Sequence, residues 1–210
     1  MKIQLINVTK RFKENEVLKN INLTFESGKI YGLCGRNGSG KSVLMKLICG
    51  FYVPTSGEIL YDGINLNTKL EFPEDMRALI EKPSFFPDLT GFENLKILAK
   101  IQNKINDEEI YEALKIVNLY DEKDKKYHKY SLGMKQKLGI AQVIMEKPKI
   151  MIFDEPFNGI EEKTVNELIE YLKQIVKNGT TVILSTHIKE DLNKLTKNII
   201  YIDNGMINEK

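Results

Sequence analysis

Cysteine, histidine and arginine are scarce in this 210-residue chain, at two, two and three residues. Cys34 and Cys49 make no C-x-x-C pair, and with two histidines in all they cannot assemble a zinc set. Both read as small buried apolar residues. With arginine confined to Arg11, Arg36 and Arg77, the basic surface is lysine, which suits solvation better than bidentate phosphate reading. One-sided charge is missing too: 31 basic against 29 acidic residues leave a net +2, so no nucleic-acid partner is expected. No apolar run approaches the roughly 18 residues of a membrane span; Ile150–Phe153 and Ile199–Ile202 are among the longest. The start, Met1-Lys2-Ile3-Gln4-Leu5-Ile6-Asn7, lacks the apolar core of a signal peptide. The expectation is a cytoplasmic chain, any membrane role of which would be borrowed from a partner.

What is present is an ordinary globular balance, 42% apolar and 29% charged, which excludes a disordered tail, a collagen-like fibre and a disulfide mini-protein. The length suits one domain, or one core carrying an inserted lobe. Lys2–Val8 and Ile21–Phe25 alternate like half-buried strands, with turns at Lys13–Asn15 and Ser27-Gly28. Ile30–Cys34 is a short apolar run, and Lys41–Cys49 has helical spacing stopped by Gly50. Gly57–Tyr61 before Asp62-Gly63 reads as a strand entering a hairpin. Helical patterns then take over from Pro83 to Met145, at Phe92–Ile101, Asp107–Val117 and Ser131–Met145. Alternation returns with strands at Ile150–Phe153, Thr181–Leu184 and Ile199–Ile202, a helix over Val165–Val176, and a turn at Asn204-Gly205. Strands and helices interrupted by an all-helical block predict an α/β sheet core with a helical lobe inserted.

The strongest chemistry lies at Gly35-Arg36-Asn37-Gly38-Ser39-Gly40-Lys41-Ser42, which fits G-x-x-x-x-G-K-[ST] between a strand and a helix. Glycines let backbone N–H groups converge on one anion, and the helix N-terminus adds partial positive charge. Lys41 would reach the β- and γ-phosphates of a nucleotide, and the Ser42 hydroxyl would bind Mg²⁺. The second piece is Ile150-Met151-Ile152-Phe153-Asp154-Glu155-Pro156, a buried strand carrying two acids to the sheet's carboxyl end. There Asp154 would hold Mg²⁺ through water, and Glu155 would polarise the attacking water as general base.

These residues resemble the nucleotide-binding subunit of an ATP-binding cassette (ABC) transporter over essentially the whole chain. The family's marks follow in the family's order. Phe12 matches the aromatic that stacks on adenine; Glu81 stands where the loop from core to helical lobe usually has glutamine. Tyr130-Ser131-Leu132-Gly133-Met134-Lys135-Gln136 matches the signature motif, Asn158-Gly159-Ile160-Glu161 the D-loop, and Ser185-Thr186-His187 ends in the switch histidine. The resemblance implies a P-loop NTPase (RecA-like) core over 1–82 and 146–210, with an N-terminal antiparallel β subdomain and a helical subdomain over 83–145. It also implies a Mg²⁺-dependent ATPase in which Lys41, Glu155 and His187 act on ATP. Phe12, Gly35 to Ser42, Ser131 and Gly133 would bind the nucleotide, and Ser42, Glu81 and Asp154 the metal.

The same residues have plainer readings: Phe12 as a strand-end aromatic, His187 as a loop histidine. Ser131 reads as a helix N-cap ahead of Leu138, Ala141 and Met145, compatibly with its signature role. Lys123–Lys129, charge-rich with interleaved tyrosines, reads as a solvated helix or linker. Phe85 and Phe86, in the proline-bounded loop Pro83–Pro87, read as an apolar dock for a permease helix or as rings turned inward.

Three departures from the family pattern stand out. Leu132 replaces the first glycine of the usual Leu-Ser-Gly-Gly-Gln, Glu81 replaces glutamine, and the D-loop ends in Glu161 instead of aspartate. Tyr-Ser-Leu-Gly-Met and the acid at position 81 look like the subgroup of bacitracin and lantibiotic resistance exporters. The resemblance implies a second ABC ATPase subunit, identical or not, with ATP sandwiched between Lys41 of one copy and Ser131 of the other. It also implies a separate multi-span permease holding the chain at the membrane's inner face. The runner-up is a soluble single-cassette ATPase of the iron–sulfur assembly type. A chromosome-organising ATPase would need a long coiled coil between Ser42 and Ile150, where no heptads are sustained. A ribosome-acting one would usually carry two cassettes.

Overall fold

Apolar residues along the central strands sort alternately onto two cores, and that alternation builds the molecule. The computed structural model describes residues 1–66, 72–73 and 75–208. Its elements are β1 (Ile3–Phe12), β2 (Asn15–Phe25), β3 (Ile30–Cys34), α1 (Lys41–Ile48), β4 (Ser56–Tyr61), β5 (Met76–Leu79) and α2 (Gly91–Gln102). They continue with α3 (Asp107–Ile116), α4 (Leu132–Ile144), β6 (Ile150–Asp154), α5 (Glu162–Lys177), β7 (Thr181–Ser185), α6 (Lys189–Leu195), β8 (Ile199–Asp203) and β9 (Met206–Asn208).

A six-stranded sheet in the order β5-β6-β7-β3-β8-β9 is parallel except for β9, which pairs antiparallel to β8. On β6 and β7, Met151, Phe153, Val182 and Leu184 face one core, shared with α4, α5 and the helical block. Ile150, Ile152 and Ile183 face the other, shared with α1 and a three-stranded antiparallel sheet ordered β2-β1-β4. Side chains alternate along a strand, so an unbroken apolar run is what a sheet covered on both faces requires. Each such side chain contributes about 1.5–3 kcal/mol of burial. The architecture is the α/β core with antiparallel β sheet and inserted helices expected above. Among the described residues no helix is long and apolar enough to cross a membrane.

β1 and β2 run well beyond Lys2–Val8 and Ile21–Phe25. Register shifts accompany left-handed backbone at Asn7 and Asn20, so the buried set on β1 is Ile3, Leu5 and Val8, out of strict period. The return arm after Asp62-Gly63 is a single bridge from Ile64 to Tyr61. Three elements escaped the sequence reading, one of them the three-residue β9 after the turn at Asn204-Gly205. β5 is only four residues long, and its Arg77 reaches the carboxylate of Glu146 just past α4. α6 has seven residues, too few for a period to register.

The inserted helices follow their caps. Thr90 and Asn106 form capping boxes with Glu93 and Glu109, and Ser131 accepts from the Met134 N–H at 3.2 Å. Lys123–Lys129 is the solvated linker of the two readings and not the helix, with one exception: it ends in a short 3₁₀ turn, Tyr127–Lys129, whose Tyr127 is buried beside Tyr130. The Tyr127 hydroxyl donates to the Pro83 carbonyl at 2.9 Å, and that of Tyr130 to the Glu122 carbonyl at 2.9 Å. The rings can leave water because their hydroxyls keep partners. Of the cysteines, Cys49 is buried and its thiol is pushed up to about 12 by desolvation, while Cys34 is only half-buried.

Candidate active site

Parallel strands bring their carboxyl ends to one edge of the sheet, and the polar groups collect there. β3 leaves the edge through a loop too tight for side chains at two points. A Cβ on Gly35 would lie 2.2 Å from the Ile202 carbonyl oxygen and 2.6 Å from Ser39 Oγ. Gly40, at φ +110°, would meet Leu18 at 2.7 Å. α1 starts directly after the loop. Lys41 is 7% exposed, and its ammonium donates to the carbonyls of Gly35 (2.8 Å) and Arg36 (3.0 Å). The Ser39 hydroxyl is buried with no hydrogen-bond partner among the described residues. A buried donor left unpaired is costly; this one lies on the side of the loop lined by Cys34, Tyr201 and Asp203, outside the cleft that holds Lys41 and the two acids. Val17, Gly38, Lys41, Ser42, Asp154 and Glu155 line a cleft of about 390 Å³.

The two acids are held differently. Ser42 Oγ donates to Asp154 Oδ2 at 2.5 Å and Ser185 Oγ to Asp154 Oδ1 at 2.6 Å. Asp154 and Ser185 are partners in the β6–β7 ladder, so strand register sets the second contact. Glu155 turns off the strand at φ +51°, its N–H donating to the Ser185 carbonyl and hydroxyl, both at 3.1 Å. Its carboxylate accepts from the His187 N–H at 3.2 Å and sits 2.8 Å from His187 Nδ1. Its carbonyl accepts from buried Gln136 of α4 at 3.3 Å. A hydroxyl and a carboxylate in contact are hard oxygens suited to Mg²⁺, with phosphate and water completing the shell. Among the described residues no three His, Cys, Asp or Glu side chains cluster as a metal cage.

The remaining residues singled out in the sequence lie around this edge. Ser131 and Gly133 do not line the cleft. They open α4, where a Cβ on Gly133 would stand 2.3 Å from the Gly159 carbonyl oxygen, so signature and D-loop touch within one chain. Glu161 is tied to α4 by buried Lys137 at 2.8 Å, which holds its carboxyl below the usual range. Exposed Phe12 meets Tyr52 edge-on at 5.3 Å between ring centroids. Glu81 is paired with Lys46 of α1. The rings of the proline-bounded loop divide: Phe85 packs inward against Tyr127 at 5.3 Å, whereas Phe86 is 60% exposed. Sequence reasoning assigned no role to Lys46, Lys137 or Ser185, and named Gln136 only as the end of the signature motif. For Ser185 a signal existed, a hydroxyl ending an apolar strand; the others are polar residues within a helix whose partners lie elsewhere in the chain.

A glycine loop opening a helix, a buried lysine and paired acids at the ends of parallel strands define a P-loop nucleotide-hydrolysing protein. The model of the family described as "ABC transporter" matches residues 18–158, and the chain belongs to that family. It is the ATP-binding and ATP-hydrolysing subunit of such a transporter. It is 42% identical over 205 residues to the uncharacterized ABC transporter ATP-binding protein YybJ of Bacillus subtilis (strain 168), covering 98% of this chain and 94% of that protein. It is 38% identical over 210 residues to the bacitracin transport ATP-binding protein BcrA of Enterococcus faecalis, covering 99% and 68%. Among solved structures it resembles the dimeric post-hydrolysis state of the ATP-binding cassette MJ0796 bound to ADP and Pi. That match has a TM-score of 0.87 at 25% identity and covers 99% of this chain and 97% of the other. These likenesses are to transporter cassettes, and the iron–sulfur assembly reading is not favoured.

Proposed function

We propose that two copies of this chain, or this chain and a close relative, close on two ATP–Mg²⁺ and drive a separate membrane permease, in the direction of export. The observation that carries the chemistry is the chain of contacts Ser42–Asp154–Ser185 beside Glu155–His187. In this reading the loop Gly35 to Ser42 wraps the phosphates with its backbone N–H groups. Lys41 trades the carbonyls of Gly35 and Arg36 for phosphate oxygens. Mg²⁺, held by Ser42 and Asp154, supplies neutralisation of phosphate charge. Glu155 takes a proton from the attacking water, and His187 keeps the carboxylate turned toward it. Phe12 offers its exposed ring to adenine. Ser131 and Gly133, at a helix N-terminus outside the chain's own cleft, reach the nucleotide of the partner copy. The two copies of MJ0796 in its ADP- and Pi-bound dimer support the pairing. Likeness to BcrA and the Tyr-Ser-Leu-Gly-Met signature support export of a bacitracin-like compound, with the chain held at the inner membrane face by its permease. Exposed Phe86 is the ring left for that contact. Glu81 can join the Mg²⁺ shell only by leaving Lys46.

Glu155→Gln tests the reading. Turnover should fall about 10²-fold or more because the amide cannot take the proton. ATP binding should persist, with an ATP-dependent dimer on a sizing column. Near-normal turnover would remove Glu155 from the base role.

A further inference from the structure

Lys46 lies on the helix that the glycine loop opens, and its ammonium faces two groups at once. One is the carboxylate of Glu81, in the loop leading to the helical block. The other is the ring of Tyr52, whose centroid is 5.6 Å away, within the reach of a cation–π contact. Tyr52 in turn stands edge-on to Phe12. Lys10 braces this aromatic pair, its ammonium 4.9 Å from the Phe12 centroid and 5.5 Å from that of Tyr52 while donating to the Val53 carbonyl at 2.8 Å. Glu81 holds a left-handed backbone, φ +67°, that a non-glycine residue adopts only at a cost, so its position has to be maintained by contacts.

We propose that Lys46 is the positioning residue of the Glu81 loop, joining it through Tyr52 to the Phe12 platform so that a base seated on Phe12 and the position of that loop are energetically coupled. This rests on the reading of Phe12 as the adenine platform. The coupling runs along contiguous contacts, Phe12 to Tyr52 to Lys46 to Glu81, on the base side of the nucleotide instead of through its γ-phosphate. Linkage makes it reciprocal: a loop pulled away from Lys46 weakens the hold on the base by the factor with which the base holds the loop. Lys46 touches neither reacting atoms nor phosphate in this scheme.

The chain contains no tryptophan, so Lys82→Trp places a single tryptophan beside Glu81, excited selectively to the red of the nine tyrosines. In that parent, emission is followed on saturation with ATP and, separately, with tripolyphosphate, which lacks the base, at equal Mg²⁺. Equilibrium dialysis measures ATP binding independently. The expected result is an ATP response larger than the tripolyphosphate response by about threefold or more, reduced to the tripolyphosphate level by Lys46→Met and by Tyr52→Leu, and kept by Lys46→Arg. A merely structural lysine would not make the response depend on the base. Equal responses to ATP and tripolyphosphate in the parent, or a full ATP response in Lys46→Met, would overturn the proposal while leaving the ATPase reading intact. Failure of the parent to bind ATP in dialysis would instead defeat the nucleotide reading and the proposal with it.

Discussion

Around Asp154 the polar groups are bonded to one another: Ser42 and Ser185 to its two oxygens, the Glu155 N–H to Ser185 and the Glu155 carboxylate to His187. At the start of α4 the arrangement is the reverse. Leu132 is 66% exposed, Ser131 uses its hydroxyl on its own helix N-terminus, and Gly133 offers only backbone to Gly159. The first region is set by the hydrogen-bond ladder of one sheet, which brings Asp154 opposite Ser185 with little freedom. The second is set by a helix end resting on a turn, pinned by Lys137–Glu161. The contrast teaches that the phosphate end is assembled within the chain, whereas the signature end is shaped by the chain but directed outward.

The largest effect should come from Gly35→Ala. Its Cβ would fall 2.2 Å from the Ile202 carbonyl oxygen, a backbone atom of a central strand that has no room to yield. Stability should drop by about 3 kcal/mol and ATP affinity with it, read by urea unfolding and equilibrium dialysis. An unchanged protein would show the phosphate end to be looser than its contacts imply.

Gly133→Ala sharpens the other half. The new Cβ would meet the Gly159 carbonyl oxygen at 2.3 Å, but the D-loop turn can shift, so the expected loss is nearer about 2 kcal/mol. ATP binding by the isolated chain should survive while hydrolysis falls. Loss of binding would place the signature inside the chain's own site and break the comparison.

The smallest effect belongs to Glu161→Gln. Lys137, almost wholly buried, would keep a hydrogen-bond acceptor but lose its counter-charge, while Glu161 is itself largely exposed and screened. About 1 kcal/mol is expected at neutral pH. The Lys137 hydrogen bond lowers the Glu161 pKa from its ordinary 4.5, so its contribution is full above that value and is lost as pH falls through the lower folded-state pKa. Thermal melts of parent and variant should therefore differ at pH 7 and converge in acid. A gap that persisted in acid would assign the effect to shape instead of charge.

Elements whose cause is local could be read along the chain. Ile150–Phe153 is apolar at every position because both faces of β6 are covered, and Asp154 follows because the strand ends at the polar edge. Thr90, Asn106 and Ser131 announce helices because a cap acts within three residues of itself. β5 was not legible, since its place beside β6 rests on a parallel pairing with residues far away in sequence. Nor was the half of β2 before Ile21, where the bulge at Asn20 breaks the alternation. Tyr127 looked solvated amid lysines because its acceptor, the carbonyl of Pro83, becomes a neighbour only after the helical block folds.

By itself, then, the sequence determined the glycine loop with its lysine, the acids at a strand's end, the helix starts and the family to which they belong. The first three depend on residues within a few positions of one another, where backbone geometry alone dictates what is near what, and the family follows from such local motifs taken in order. Only the tertiary structure decided that Ser185 would grip Asp154, that Lys137 would hold Glu161, that Phe85 would turn inward while Phe86 stayed out, and that Glu81 would fall to Lys46. Those pairings join separate elements, and their distances are set by sheet register and helix packing, which no local pattern specifies.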